Sequence, residues 1–341
     1  MSSVATVALL GGPSSGKSTY LGAVIHALET ASSSTLTLGV LPDDATAYER
    51  LSEPLLRLTY PQRTKGERNV LDLPLLSQRG GLSQEIHLTM GDYDGEEVER
   101  LFRDRTRGYS AEWRARASAR GLLLFIRPDA LTSLPQLTPH ELLSDREQLL
   151  ALKAKGEKKV PAKKRRKAED DPERAFGGGL KDEARAARVA APNDAVRVPT
   201  VLAVVELLQF LRHERGLAPG ERPEPGQLRI ALLAAGWDAV DPAWKKKGPS
   251  AFFAEQAPLL HDFLWSNYRM ADVCHFGLSS TGGDLRKPGY QQQYREDPHG
   301  FVSWADATGR LHQTRNLALP IEWALFGDEA LGGPDDVIVQ S

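Results

Sequence analysis

Six apolar runs stand out along the chain, each bounded by polar or turn-forming residues: VATVALL (4–10), NVLDLPLL (69–76), EIHLTMG (85–91), GLLLFIR (121–127), RIALLAA (229–235) and ADVCHFGL (271–278). Short continuous runs of this kind predict strands, the most apolar of them buried on both faces. Between and beyond them the apolar residues fall at helical spacing, as in VLAVVELLQFLRH. This pattern predicts helices over 17–30, 44–58, 96–106, 138–152, 199–215, 250–267 and 319–327. Strands alternating with helices argue for an α/β fold, a mostly parallel six-stranded sheet with helices on both faces. No internal repeat is visible.

One stretch breaks the alternation. From Lys153 to Val198 the chain has few large apolar side chains, dense charge of both signs and a triple glycine. Such a segment cannot bury enough surface to offset the entropy of ordering, so a disordered, charged insertion is expected at 153–198 within a single domain spanning 1–341. KKRRK at 163–167 has the charge to meet nucleic acid or anionic lipid, but no aromatic residues are interleaved to stack on bases. It reads as a solvated tether.

Composition narrows the setting. At 41% hydrophobic residues, 341 positions suffice for a sizeable core, and a net charge of −2 gives no electrostatic reason to expect a nucleic-acid or membrane partner. The single cysteine, Cys274, cannot form a disulfide within the chain and fits a reducing compartment. The run from Val4 to Leu10 is too short to span a bilayer and lacks a basic start, so neither a transmembrane segment nor a signal peptide is expected. A cytoplasmic location follows as the expectation.

The candidate chemistry begins where the first run ends. GGPSSGKST (11–19) matches G-x-x-x-x-G-K-S between a predicted strand and a predicted helix. Glycines let the backbone curl so that successive N–H groups point inward, and the helix start adds unpaired donors and a positive dipole end. The loop is an anion cradle formed by Gly11, Gly12, Ser14, Ser15, Gly16, Lys17, Ser18 and Thr19. Lys17 is expected to reach the β- and γ-phosphates, and the Ser18 hydroxyl to ligate Mg²⁺. Pro13 offers no N–H, but the donors from Ser14 to Ser18 remain.

A phosphate cradle alone does not separate ATP from GTP. Asp92-Tyr93-Asp94-Gly95, at the end of the third strand-like run, matches D-x-x-G, in which Asp92 would hold Mg²⁺ through water and the Gly95 N–H would meet the γ-phosphate. ALLAAGWDAV ends a strand at Gly236-Trp237-Asp238, where GTPases carry N/T-K-x-D. An Asp there accepts from guanine N1–H and the 2-amino group, and adenine has neither donor. Ala235 and Gly236 stand where the Asn and Lys would be, and Trp237 would either cover the base or anchor the core. HFGLSSTGG offers Ser279 and Ser280 for the loop whose backbone N–H meets guanine O6. YPQRT offers Thr64 as the Mg²⁺-ligating switch threonine, with Thr59 as its competitor. Glu96 occupies the place of a water-orienting Gln, and Arg63 is a candidate finger in cis, so Glu96, Arg63 and Thr64 form the candidate hydrolytic set.

These elements, in this order, resemble the TRAFAC-class, Ras-like P-loop GTPases. GGPSSGKSTYL, YPQRT, GDYDGE, the GWD ending and the terminal LALPIEWALF are more narrowly similar to the bacterial double-GTPase-type families. The resemblance covers nearly the whole chain outside the charged insertion. It implies GTP or GDP as ligand with Mg²⁺, switch loops that order around the γ-phosphate, and a role in bacterial conflict or signalling. An effector or regulatory protein encoded nearby is the implied partner, with nucleotide-dependent oligomerisation as a further expectation. A scaffold with little turnover, or an ATPase sharing the loop, are the alternative readings.

Overall fold

The computed structural model describes residues 4–12, 14–30, 34–41, 45–61, 70–77, 84–91, 111–131, 200–332 and 337–338. The strands are β1 (Ala5–Gly11), β2 (Leu36–Leu38), β3 (Val70–Ser77), β4 (Gln84–Gly91), β5 (Gly121–Ile126), β6 (Arg229–Ala235), β7 (Val273–Ser279), β8 (Phe301–Ala305), β9 (Leu311–Thr314) and β10 (Val337–Ile338). The helices are α1 (Lys17–Thr30), α2 (Thr46–Leu56), α3 (Ala111–Ala117), α4 (Thr200–Glu214), α5 (Pro242–Gln256), α6 (Pro258–Asn267), α7 (Pro288–Glu296) and α8 (Leu319–Phe326).

All six expected strands form, but the six-stranded, mostly parallel sheet is corrected. They make the middle of a ten-stranded mixed sheet in the order β10-β9-β8-β7-β6-β5-β1-β4-β3-β2. The parallel pairings are confined to β4–β1, β1–β5, β5–β6 and β6–β7. β3 turns back on β4, because the six residues between Ser77 and Gln84 are too few for a parallel crossover. β2 extends one edge antiparallel, and β8, β9 and β10 extend the other.

Alternation along the central strands divides the core between the two faces of the sheet. Val7, Leu9, Leu123, Phe125 and Leu233 point to the side covered by α1, α2 and α8, where Tyr20, Leu51 and Trp323 pack. Ala8, Leu10, Leu122, Leu124 and Leu232 point to the other side, against α3 to α6 and their Trp113, Leu208, Phe252 and Leu264. Burial on both faces is why these strands read as unbroken apolar runs.

The helix expected over 250–267 is two. Pro258 has no N–H to continue the ladder, and Ala257 before it leaves helical geometry at φ −136° and ψ 53°. α5 is itself kinked at Gly248 (φ 85°, ψ 167°), so a short helical stretch from Pro242, capped by Asp241 Oδ1 accepting from Ala243 N at 2.7 Å, precedes the helix expected from 250. The helices expected at 96–106 and 138–152, and the insertion expected at 153–198, lie outside the described residues.

Candidate functional site

The parallel strands end together, and the expected site residues that the structure describes gather at their carboxyl ends, where open α/β sheets bind ligands. Gly11 closes β1 directly against β5. A Cβ there would lie 2.7 Å from the Phe125 carbonyl oxygen and 2.8 Å from Ser15 Oγ, so the loop can leave the sheet this closely only with glycine. It then curls through two left-handed positions, Ser14 at φ 54° and Gly16 at φ 91°. The first turn of α1 starts with Tyr20 N donating to Gly16 O at 2.9 Å, so the amides of residues 17–19 precede any intrahelical acceptor.

Lys17 is folded over this loop. Its ammonium donates to Gly11 O at 2.8 Å, Gly12 O at 3.0 Å and Ser15 Oγ at 3.1 Å, which holds its charge at the mouth of the cradle. Ser15 is buried, whereas Ser14 is exposed and Gly12, Gly16, Ser18 and Thr19 are half-buried. The Ser18 and Thr19 hydroxyls have no hydrogen-bond partner among the described residues. A half-buried hydroxyl oxygen in the first turn of a helix suits a hard cation such as Mg²⁺. The other expected metal ligands, Thr64 and Asp92, lie outside the described residues, as do Pro13, Arg63, Gly95 and Glu96. Thr59, the competitor of Thr64, spends its hydroxyl on the end of α2, donating to Pro54 O at 3.0 Å.

Beside the cradle stands the end of β6. A Cβ built on Gly16 would touch Ala235 Cβ at 3.5 Å, so the anion loop and the Gly236-Trp237-Asp238 turn are neighbours. Gly236 takes φ 83°, a conformation that favours glycine, while its N–H still donates to Leu278 O at 2.8 Å. The turn sends Trp237 inward and leaves Asp238 half-buried at the surface. Trp237 is 2% exposed, edge-on to Phe252 with ring centroids 5.5 Å apart, and packed over Gly277. A base-covering role for Trp237 is therefore corrected, because its ring is committed to the core.

Asp238 is held from two sides. Ser279 Oγ, fully buried at the end of β7, donates to Asp238 Oδ1 at 2.6 Å, and Lys245 Nζ donates to the Asp238 carbonyl at 2.6 Å. One carboxylate oxygen is thereby steered by a serine, and Ser280 follows directly in the next loop. Sequence reasoning missed the groups that brace this loop. Tyr60 Oη accepts from Leu285 N at 3.0 Å, and Tyr290 Oη donates to Thr281 O at 2.6 Å. Burial raises the pKa of both phenols, and the negative charge of Asp238 adds to the rise in each. The signal available for Tyr60 was its place inside YPQRT, which drew attention for Arg63 and Thr64.

Among the described residues no His, Cys, Asp and Glu group of three or more assembles to hold a metal ion, and no helix is long and apolar enough to cross a membrane. No curated protein sequence matches the chain significantly. Among solved structures, a chain of the signal recognition particle receptor SRb-GTP/SRX complex from Chaetomium thermophilum is similar at 11% identity. That match covers 87% of this chain and 98% of the other, with a TM-score of 0.33. A family model described as Double-GTPase 1 matches residues 8–324.

Proposed function

The chain belongs to the Double-GTPase 1 family of GTP-binding GTPases, and on that premise we propose that it is a guanine-nucleotide switch controlling a partner protein in a bacterial signalling or defence system. The observation that carries this reading is one juxtaposition. An anion loop after β1 and an Asp steered by a buried Ser after β6 meet at the carboxyl ends of two parallel strands that flank β5, where a Cβ on Gly16 would lie 3.5 Å from Ala235 Cβ.

In this reading the amides of 14–18 and the Lys17 ammonium bind the β- and γ-phosphates. Asp238 accepts from guanine N1–H and the 2-amino group, Ser279 aims it, and the Ser280 amide faces O6. Ser18, with Thr64 and Asp92, would hold Mg²⁺, which when bound neutralises charge on the β- and γ-phosphate oxygens. Intrinsic hydrolysis is slow, on the order of 10⁻⁴ to 10⁻² per second as for unassisted GTPases, with Arg63 contributing more than Glu96. A carboxylate at 96 in place of the water-orienting amide favours, as a second reading, a nucleotide-dependent scaffold that scarcely turns over. The whole chain is read as one nucleotide-binding domain carrying the 153–198 insertion, working in the cytoplasm with a partner encoded nearby.

The test is chromatography of the nucleotide released when the purified protein is denatured, followed by single-turnover hydrolysis at saturating GTP and Mg²⁺. Guanine nucleotide in the native protein, absent from Lys17→Ala, is the expected result. Adenine nucleotide would overturn the assignment. Slow turnover that Arg63→Ala reduces further supports the switch, whereas a rate indistinguishable from that without protein supports the scaffold.

A further inference from the structure

The loop that follows β7, residues 280–287, is shaped mainly by neighbours in sequence. Thr281 Oγ1 donates to Gly283 O at 2.7 Å, and Asp284 accepts from the Arg286 backbone and guanidinium at 2.9–3.0 Å. From α7, just beyond it, Tyr290 Oη donates to Thr281 O and Gln291 Nε2 to Leu285 O at 2.7 Å. The hydrogen bonds that reach this loop from a distant part of the chain, among the described residues, come from Tyr60. Its oxygen accepts the Leu285 amide at 3.0 Å, and its hydroxyl has the Asp284 carboxylate at 3.3 Å as the nearer of two acceptors, with Gly283 O at 3.5 Å.

We propose that Tyr60 is a positioning residue for base recognition, whose hydroxyl fixes the 280–285 loop in the shape that reads guanine. The proposal rests on the guanine-nucleotide reading above. Three observations converge on it. Leu285 is 1% exposed, so the amide that Tyr60 accepts belongs to the anchored end of the loop, and its loss leaves a donor with poor access to water. Asp238 acts electrostatically on both Tyr60 and Tyr290, which puts this brace within the field of the base-reading carboxylate. Among the described residues the Tyr60 hydroxyl bonds to Leu285, Asp284 and Gly283, whereas the Lys17 ammonium is held by Gly11, Gly12 and Ser15 within the anion loop itself. Tyr60 therefore acts on the base end of the ligand and leaves the phosphate end alone. Its ring does not need to touch the nucleotide to set specificity, because it holds the segment that does.

The experiment measures Kd for GDP and ADP by calorimetry on the full chain, wild type and Tyr60→Phe, with melting curves alongside. Removal of one neutral hydrogen bond to a buried amide is expected to reduce the preference for GDP over ADP about two- to tenfold. Affinity for ADP should stay within about twofold of wild type. If the wild type prefers GDP and Tyr60→Phe keeps that preference, or loses both nucleotides equally, the proposal is overturned and the guanine reading stands. A wild type with no preference for GDP overturns both. If Tyr60→Phe fails to fold, hydrogen exchange at the Leu285 amide of the wild type is the readout: slower exchange with GDP than with ADP bound supports the proposal, and equal exchange with both overturns it.

Discussion

Ser279→Ala deletes one hydroxyl from a position with no solvent exposure, and its effect can be worked out from a single contact. The Oγ donates to Asp238 Oδ1 at 2.6 Å. Hydrogen bonds to charged groups contribute about 1.5–3 kcal/mol, and here the lower end applies, because Asp238 is half-buried and water can replace part of the loss. A penalty of about 1.5 kcal/mol corresponds to about a tenfold rise in Kd for GDP. The carboxylate then rotates more freely, and the cost falls on ligands that offer it paired donors. ADP offers none, so its affinity should change by less than about twofold. Calorimetry of both nucleotides on wild type and Ser279→Ala, with melting curves to confirm the fold, measures this. Unchanged GDP affinity in a folded variant, or equal losses for GDP and ADP, would refute the assignment of Asp238 as base reader and Ser279 as its guide.

Two further outcomes follow from the packing around the same strand. In Gly277→Ala the added Cβ would come within 2.5 Å of the Trp237 ring, and overpacking of this kind costs about 1–3 kcal/mol; the melting temperature should drop and GDP binding weaken as the 236–238 turn shifts, and an unchanged melting temperature would contradict the close contact. His275 is buried against Phe253, its Nε2 has no hydrogen-bond partner among the described residues, and burial, aided by His261, pushes its pKa down to about 4. The unfolded chain therefore takes up a proton near pH 6.5 that the folded protein refuses, so stability is lost as pH falls from about 6.5 to about 4. His275→Leu should flatten that loss in melting curves taken across the window, and an unaltered slope would show that other groups cause it.

The central strands were legible because burial on both faces writes an uninterrupted apolar run, and all six appear where the runs lie. The edges were not. β2 has three residues, and β8 buries Ser303 between Val302 and Trp304, so polar letters interrupt the signal. α7, PGYQQQYRE, buries only Tyr294 and carries too little apolar character to show a period. Glu322 in the last helix carries no local signal for its surroundings. It is 3% exposed and accepts from Ser34 Oγ, Thr35 N, Thr35 Oγ1 and Asn316 Nδ2, partners that only the tertiary fold brings together.

The site divides in the same way. The shape of the 11–19 loop was legible because it is a local object, built within nine residues between one strand and one helix. Asp238 and Ser279, by contrast, are 41 residues apart and meet because β6 and β7 are parallel neighbours, with Ala235 opposite Leu278. Trp237 illustrates the limit: an aromatic beside a binding Asp suits either a base or a core, and the left-handed turn at Gly236 decides for the core. Tyr60 could not be found by motif, since its partner amide lies 225 residues away.

Asp238→Asn, titrated with GDP and with xanthosine diphosphate, tests the guanine reading most directly. Xanthine presents a carbonyl at position 2 where guanine presents an amino group, so an Asn amide pairs with it as the Asp carboxylate pairs with guanine. The account predicts that GDP weakens by more than about tenfold while xanthosine diphosphate tightens by a similar factor over wild type, a reversal on the order of 3 kcal/mol between the two ligands. Equal weakening of both nucleotides, or no change in either, would contradict it.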